Sequence, residues 1–391
     1  MTKVLDGVRV IELGTMITAP LAGMMLADLG AEVIKVEHPQ GGDPFRNFRG
    51  GLYSPHFVAY NRGKRSMKLD LRNAAGREAF ARLLSRADIL IENYRAGVMD
   101  RLGQSAAALN SANPRLIHCS ITGFGASGPY SGRPAYDTVG LALSGIASLL
   151  LDPENPQACG PTIPDNATGM FACYGILGAL YERERTGRGR RVEVNMLEAA
   201  ISFIPDPFAN YTQNGIRNDP LTRVASSHSF AFRCADGKLL AIHLSSQPKF
   251  WEGLLTAIER LDLGVDPRFS SRELRIKNFV TLTRALGEVI ANKPRSEWMA
   301  LLEANDVPFA PVHEIEDVLD DPQVKHLQAF RTLQHPTEGA LTAIRRPVHI
   351  DGGRDGSDLP APTFGEHTDE VLKELGYDDA AIAQMRKAKA I

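Results

Sequence analysis

Residues 8–37 read VRVIELGTMITAPLAGMMLADLGAEVIKVE, and this stretch decides the fold of the N-terminal part of the chain. It opens with a β-branched run, Val8 to Leu13. Pro20 then suits the first turn of a helix that stops at Gly30, and a second β-branched run, 32–37, follows. A strand, a helix and a strand within about thirty residues indicate a βαβ unit and therefore a parallel sheet.

The same alternation continues after this unit. The sequence predicts a helix over 74–86 and strands over 88–92 and 116–121, which together indicate a Rossmann-like α/β layer. The turn after the first strand, 14–20, does not read G-x-G-x-x-G, so neither NAD nor FAD is predicted as a ligand.

The pattern of predicted elements changes near residue 218. Asp236-Gly237 is a strong hairpin signal between two short apolar runs, and amphipathic helices are predicted over 248–260, 271–292 and 295–304. We therefore predict an α/β protein with a parallel sheet in a large Rossmann-like domain and with a smaller α+β domain. The predicted limits are 1–222 for the large domain, 223–311 for the small domain, and 312–391 for a C-terminal segment that returns to the large domain.

Composition narrows the class of protein. The 391 residues are long for one core, which agrees with two domains. The net charge is −2 with acids and bases mixed, so neither nucleic acid nor a membrane is expected as a partner. The four cysteines are scattered, so no disulfide framework and no metal site are predicted. The N-terminus lacks a signal-like segment, which predicts a cytoplasmic protein.

Asp165 is the first candidate for a reactive residue. It follows two prolines and precedes an apolar helix predicted over 167–185, and a strand is predicted over 191–195. A carboxylate at a helix start lies beside unpaired N–H groups and the positive end of the dipole, which favours its ionised form. Asp is also a preferred N-cap residue, so this segment alone is compatible with a helix cap or a nucleophile.

Three further segments suggest a ligand. Residues 61–72 contain five bases, which suit either a phosphate beside a parallel sheet or a solvated charged face. Residues 92–97 directly follow a predicted strand, where polar side chains belong to a site or to an Asx turn. Residues 121–130 form a Gly-rich loop whose amides can hold an anion, although such a loop alone is a weak signal.

Short motifs are spread in order along the chain. They read LGAEVIKVE at 29–37, NRGKRS at 61–66, LDL at 69–71, ENY at 92–94, NPRLI at 113–117, GFG at 123–125, TGRG at 186–189 and GEHTDEVL at 365–372. In this order they resemble the family III CoA-transferases, which include formyl-CoA transferase and carnitine CoA-transferase and are related to the α-methylacyl-CoA racemases.

The resemblance implies a set of site residues. Asp165 would be the nucleophile, and Arg72, Arg101 and Arg133 would lie near CoA phosphates. His38 stands where formyl-CoA transferase has an arginine. The complete set of implied CoA contacts is Ile17, Thr18, His38, Leu69, Arg72, Asn93, Tyr94, Arg95, Arg101, Arg133 and Tyr136.

The resemblance also implies an activity and an assembly. The chain would be an acyl-CoA:carboxylate CoA-transferase that forms an aspartyl mixed anhydride and then an aspartyl-CoA thioester. The expected acceptor is a short aliphatic or dicarboxylic acid, CoA or acyl-CoA is a cosubstrate, and no permanently bound cofactor is expected. The expected assembly is an interlocked homodimer. Residues 225–230 lack the glycine run of formyl-CoA transferase, so its oxalate specificity is not expected here.

Two alternative functions remain open from the sequence. A racemase of the same superfamily would need a histidine where the chain has Tyr136, and a tyrosine with an unperturbed pKa near 10 is a poor base at neutral pH. A protein that binds CoA without catalysis is the other alternative, and an intact Asp165 with its accompanying bases argues against it.

Overall fold

The computed structural model describes residues 3–158, 160–354 and 356–391. The chain divides into two compact units. The larger unit extends to Ala147 and includes Gly160–Pro205 and Gln328–Ile391. The smaller unit contains 148–158 and 206–327. This division differs from the domain limits drawn at 222 and 311, and those limits stay a prediction.

The larger unit is built around one six-stranded sheet in which all neighbouring strands are parallel. The strand order is β3-β2-β1-β4-β5-β6, the doubly wound order in which ligands bind beyond the carboxyl ends of the strands. The strands are β1 (Arg9–Glu12), β2 (Glu32–Glu37), β3 (Lys64–Lys68), β4 (Ile89–Glu92), β5 (Ile117–Thr122) and β6 (Arg191–Asn195).

Both faces of this sheet are buried, as the β-branched runs predict for parallel strands. Val10 and Ile11 are adjacent on β1 and point to opposite faces, and both are 0% exposed. Val10 belongs to an apolar cluster with Ile176, and Ile11 belongs to a second cluster with Phe80. Each such side chain contributes roughly 1.5–3 kcal/mol when it is fully buried.

Helices connect these strands. The first part of the larger unit contains α1 (Thr18–Asp28), α2 (Pro55–Asn61), α3 (Ala74–Leu84), α4 (Val98–Arg101), α5 (Ala106–Ala112), α6 (Asp137–Ser144), α7 (Ile163–Thr186) and α8 (Met196–Phe203), with 3-10 turns at Pro44–Asn47 and Ile146–Leu149.

The start of α7 differs from the prediction, which placed the first helical residue at 167. The helix begins at Ile163 because Pro164 occupies its first turn, where a missing N–H costs nothing. The helix ends at Thr186, and Gly187 caps it in a left-handed conformation with φ of 71°.

The strand β3 is not among the predicted strands, because 61–72 stands out in the sequence only for its five bases. The strand reads Lys-Arg-Ser-Met-Lys, and three bases in five residues do not look like a buried strand. The backbone nevertheless pairs in parallel with β2, from Val33↔Lys64 to Glu37↔Lys68.

The smaller unit is described by itself. Its three-stranded antiparallel sheet has the order β7-β8-β9, and the predicted hairpin at Asp236-Gly237 joins β7 to β8. The elements are α9 (Pro205–Asn214), which starts at the last residue of the larger unit, then α10 (Thr222–Ser226), β7 (Ser229–Arg233), β8 (Leu239–His243), α11 (Pro248–Ala257), α12 (Asp262–Val265), α13 (Arg272–Lys277), α14 (Phe279–Ile290), α15 (Arg295–Ala304), β9 (Phe309–Pro311), α16 (Ile315–Asp320) and α17 (Pro322–His326).

The C-terminal residues of the larger unit form a hairpin, β10 (Phe330–His335) and β11 (Gly339–Ile344), and two helices, α18 (Thr368–Glu374) and α19 (Asp379–Lys387). This part of the chain covers the free edge of β3, where the His367 N–H donates to the Ser66 carbonyl oxygen and the Ser66 N–H donates to His367 Nδ1. Among the residues that the structure describes, no helix combines the length and the apolar character needed to cross a membrane.

Candidate active site at the carboxyl edge of the sheet

The residues predicted to contact CoA follow the carboxyl ends of five neighbouring strands. Because these ends meet at one edge of a parallel sheet, the segments that carry the predicted set all start from that edge. Ile17 and Thr18 come after β1, His38 after β2, Leu69 and Arg72 after β3, Asn93, Tyr94, Arg95 and Arg101 after β4, and Arg133 and Tyr136 after β5.

Asn93 ties the turn after β1 to the end of β4. Its Nδ2 donates to the Thr15 carbonyl oxygen at 2.8 Å and to Thr18 Oγ1 at 3.0 Å, and its Oδ1 accepts from the Thr15 N–H at 3.0 Å. Its amide group therefore makes tertiary contacts rather than closing a local Asx turn. Ile17 and Thr18 are both buried at the start of α1.

A second set of contacts joins the turns after β2 and β3. Asp70 Oδ1 lies 3.6 Å from His38 Nε2 and accepts from Arg72 Nε at 3.2 Å. The Arg72 guanidinium also contacts the His38 ring. Most of the Arg72 side chain remains exposed, so it can still reach a ligand, whereas Leu69 is buried beside it.

The bases of 61–72 mostly serve the fold. Arg62 pairs with Asp28, Lys64 pairs with Glu12, and Arg65 pairs with acidic residues of β2 and α18. Three of the five bases are therefore engaged in ion pairs of the fold, whereas most of the Arg72 side chain is exposed and the phosphate interpretation stays a prediction for it.

Three other bases at this edge are available to a ligand. Within the described residues, Arg95, Arg101 and Arg133 form no ion pair, and all three are exposed. The Arg133 guanidinium lies 4.0 Å from the centre of the Tyr130 ring, which holds it above the Gly-rich loop. Tyr136 is also exposed.

The side chain of Tyr94 is placed differently from these bases. It packs against the apolar cluster on the α3 side of the sheet. Burial and the neighbouring Glu92 carboxylate raise the pKa of the Tyr94 hydroxyl above its ordinary value. Its side chain is therefore part of the core.

Asp165 is the third residue of α7, and the N-cap position belongs to Thr162. The N-cap interpretation of Asp165 is therefore wrong, because the helix starts earlier than predicted. Its backbone N–H donates to Asp137 Oδ1 at 3.1 Å. Within the described part of the chain, its carboxylate accepts no hydrogen bond and forms no ion pair.

Burial raises the pKa of Asp165 to about 7, and the nearby negative charge of Asp137 adds to the effect. This reverses the expectation that the helix start favours the ionised form. Burial outweighs the helix dipole because no hydrogen-bond donor among the described residues reaches the Asp165 carboxylate. Burial also raises the pKa of Asp137, against the effect of the hydrogen bond from the Asp165 amide.

Asp137 is not among the site residues predicted from the sequence. The residue opens α6 directly after Tyr136, and its position behind a Gly-rich loop was the available signal. Its proximity to Asp165 depends on the packing of two helix starts, which sequence spacing does not reveal. A Cβ at Gly140 of α6 would lie 2.9 Å from Pro164 Cβ, so glycine permits this approach.

The helix α7 also lies close to the turn after β1. A Cβ at Gly169 would lie 2.7 Å from the Thr18 carbonyl oxygen, closer than side-chain carbons normally come. Gly169 stands about one helical turn after Asp165. The packing therefore brings the N-terminal part of α7 close to the turn that contains Thr18.

Comparison with known proteins identifies the family. The sequence profile of CoA-transferase family III matches residues 5–368. The succinyl-CoA:glutarate CoA-transferase of Homo sapiens is 31% identical, over 100% of this chain and 90% of the relative. The formyl-CoA:oxalate CoA-transferase of Streptomyces avermitilis is also 31% identical, over 99% of each chain. A CAIB/BAIF family protein from Brucella suis superposes with a TM-score of 0.85 and 32% identity, over 96% of this chain and 100% of that one. The chain therefore belongs to CoA-transferase family III, as its motifs predict, and it is a CoA-transferase.

Proposed function

We propose that this enzyme transfers CoA from an acyl-CoA to a free carboxylic acid, with Asp165 as the nucleophile. The observation that carries the proposal is the environment of Asp165. Its carboxylate is largely buried, lacks a donor among the described residues, and has a pKa raised to about 7. Perturbed carboxylates of this kind cluster at functional sites.

The proposed reaction needs only this carboxylate and the two substrates. Asp165 attacks the thioester carbonyl of the donor, and the C–S bond breaks to give a mixed anhydride and CoA thiolate. The thiolate attacks the aspartyl carbonyl, which releases the donor acid and leaves an aspartyl-CoA thioester. The acceptor carboxylate attacks this thioester to form a second anhydride and thiolate. Attack of the thiolate on the acceptor carbonyl then gives the new acyl-CoA and restores Asp165.

The raised pKa suits this role. At neutral pH a carboxyl group with a pKa near 7 is ionised in a substantial fraction of the molecules. A more basic carboxylate is also a better nucleophile than one stabilised by hydrogen bonds. We propose that Asp137 supports the reaction in two ways, by holding the Asp165 amide and by raising the pKa of its carboxyl group.

Trapping tests the nucleophile directly. Incubation with acyl-CoA and hydroxylamine should convert the Asp165 side chain to a hydroxamate, detected as a mass shift on its peptide. Asp165→Asn should give no adduct and no turnover, because an amide does not form the anhydride. A fully active Asp165→Asn enzyme would remove Asp165 from the mechanism. Exchange of the α-proton of an acyl-CoA without transfer would instead favour the racemase.

We propose that CoA binds across the five strand ends, with its phosphates near Arg72, Arg101 and Arg133. Each charge-assisted contact is worth about 1.5–3 kcal/mol. Calorimetry of Arg101→Ala should show CoA binding weaker by roughly one order of magnitude or more. Arg115→Ala is the matched control, since Arg115 is also exposed but precedes β5 at the opposite edge of the sheet. Equal losses in both variants would exclude a specific role for Arg101.

The named relatives guide the choice of acceptor. They are a succinyl-CoA:glutarate enzyme and a formyl-CoA:oxalate enzyme. We propose a short aliphatic or dicarboxylic acid as acceptor, with succinyl-CoA as the first donor to test. Free acids should be screened against several acyl-CoA donors, with mass spectrometry of the CoA products. Transfer to no short acid in the panel would refute this choice.

We also propose a homodimer, interlocked as the family resemblance implies. One face of α7 supports self-association, because Met170, Tyr174 and Tyr181 are 53%, 76% and 71% exposed. Light scattering should give twice the chain mass, and dilution should not separate interlocked chains without unfolding. Tyr174→Glu should disturb assembly, and a wild-type monomer at micromolar concentration would overturn the proposal. The cytoplasmic location stays a prediction.

A further inference from the structure

Six charged side chains are buried together under the turn after β1. None is more than 4% exposed, and three positive charges balance three negative ones. We call this group the buried ion network, and its members are Glu12, Lys35, Glu37, Asp43, Arg46 and Lys64.

The network is bonded to both ends of the turn, 14–20. Lys35 Nζ donates to the Gly14 carbonyl oxygen at 2.6 Å. Lys64 Nζ donates to the Pro20 carbonyl oxygen at 2.8 Å. The two lysines share Glu12, which lies 2.9 Å from Lys35 and 2.8 Å from Lys64. The ammonium groups of Lys35 and Lys64 are both held by the Glu12 carboxylate. They therefore fix the distance between the Gly14 and Pro20 carbonyl groups.

The network also holds the middle of the turn. Asp43 lies 2.9 Å from Lys35, and its carboxylate accepts from the Met16 N–H at 3.1 and 3.2 Å. Met16 has a φ of 64°, a left-handed conformation that non-glycine residues rarely adopt and that persists only when the surroundings enforce it. Lys35 thus acts on the turn directly through Gly14 and indirectly through Asp43.

Stability alone does not account for these charges. Replacing buried ions by well-packed apolar residues is often neutral or stabilising, so a buried network is weak evidence for a gain in stability. Lys35 nevertheless stays charged. Burial alone would lower its pKa, but the carboxylates of Asp43, Glu12 and Glu37 raise it above its ordinary value. The outcome of this arrangement is a turn with one defined shape.

We propose that Lys35 is a positioning residue for CoA: it fixes the turn 14–18 in the shape that presents Ile17 and Thr18 to the ligand. This inference rests on the proposed function, which places CoA against that turn. Without Lys35, the Gly14 carbonyl loses its donor and Asp43 loses its cation, so the turn samples other shapes. The enzyme then binds CoA more weakly even where it remains folded.

The double variant Lys35→Met/Asp43→Asn tests this step. It removes one positive and one negative charge, so the remaining network stays neutral, and the amide introduced at position 43 keeps an acceptor for the Met16 N–H. The matched control is Arg183→Met/Asp88→Asn, which removes a 2.9 Å ion pair before β4, at the opposite edge of the sheet. Urea denaturation, CoA calorimetry and hydrogen exchange of the peptide that contains Met16 are measured for both variants.

Both variants are expected to lose stability. Only the Lys35 variant should bind CoA more weakly, by about 10-fold to 100-fold. Small displacements of positioning groups have effects of this size. Exchange at Met16 should accelerate in that variant alone. A folded Lys35 variant with wild-type CoA affinity overturns the inference. If the double variant does not fold, Lys35→Arg keeps the charge with a different geometry, and unchanged CoA affinity there overturns the inference as well. A wild-type enzyme that binds no CoA would instead refute the proposed function.

Discussion

Replacing the proposed nucleophile by its amide should stabilise the protein at alkaline pH. The carboxyl group of Asp165 has a pKa raised by burial from 3.8 to about 7. Between these two values the folded protein binds more protons at Asp165 than the unfolded chain does. Stability contributed by this group is therefore present at low pH and is lost as the pH rises from about 4 to 7.

The size of the effect follows from the shift. Three pKa units correspond to about 4 kcal/mol, and the part of the side chain that reaches solvent reduces this figure to about 1–3 kcal/mol. Asp165→Asn keeps the size of the side chain and removes the charge. Its stability relative to the wild type should therefore rise by about 1–3 kcal/mol between pH 4 and pH 8.

Urea denaturation of both proteins at pH 4, 5, 6, 7 and 8 measures this difference. Asp6→Asn serves as the control, because Asp6 is an exposed carboxylate in the same unit. Its stability difference from the wild type should not show the rise expected for Asp165→Asn between pH 4 and pH 8. If Asp165→Asn shows a constant difference across the range, or becomes less stable than the wild type at pH 8, the burial argument for Asp165 is refuted.

Two further predictions concern the surroundings of Asp165. Asp137→Asn removes the neighbouring negative charge, so the pKa of Asp165 should fall and the acid limb of the pH–rate profile should move to lower pH; an unmoved limb would mean that Asp137 does not act on Asp165. Gly169→Ala places a Cβ 2.7 Å from the Thr18 carbonyl, and it should cost about 1–3 kcal/mol in urea denaturation and weaken CoA binding in calorimetry. Gly287→Ala in α14 is the control, since its Cβ would meet the Phe232 ring only at an ordinary contact distance of 3.6 Å and should stabilise the helix by about 0.5–1 kcal/mol. Equal effects of the two alanines would contradict the close packing at Thr18.

Much of the sheet could be predicted from local patterns. The runs 8–13 and 32–37 are β-branched and bounded by Gly or helix signals, and both form strands with nearly the predicted limits. The strand Lys64–Lys68 could not be predicted in this way. It lies at the sheet edge beside β2, where Lys64 is buried only because Glu12, from a distant part of the sequence, neutralises it.

The strand-end positions of several candidate site residues could be predicted, but the electrostatics around Asp165 could not. The strand-end positions of Thr18 and Asn93 follow from the βα pattern, and the structure joins them by a hydrogen bond. The pairing of Asp137 with Asp165 could not be foreseen, because 28 residues separate them and two helix starts must meet. The raised pKa of Asp165 depends on this packing, which no local motif encodes.

Two carboxylates of the larger unit, Glu12 and Asp165, differ in how their charges are compensated. Glu12 is 0% exposed and lies within ion-pair distance of two lysines, so its charge is compensated by the fold. Asp165 is also largely removed from water, but the charge that acts on it is the carboxylate of Asp137, which opposes ionisation. A carboxylate kept in such a place weakens the fold at neutral pH, and an asparagine of the same size would avoid this cost. The same chain compensates Glu12 with two lysines, so the absence of a partner for Asp165 among the described residues supports the proposed reaction, which requires a free carboxylate.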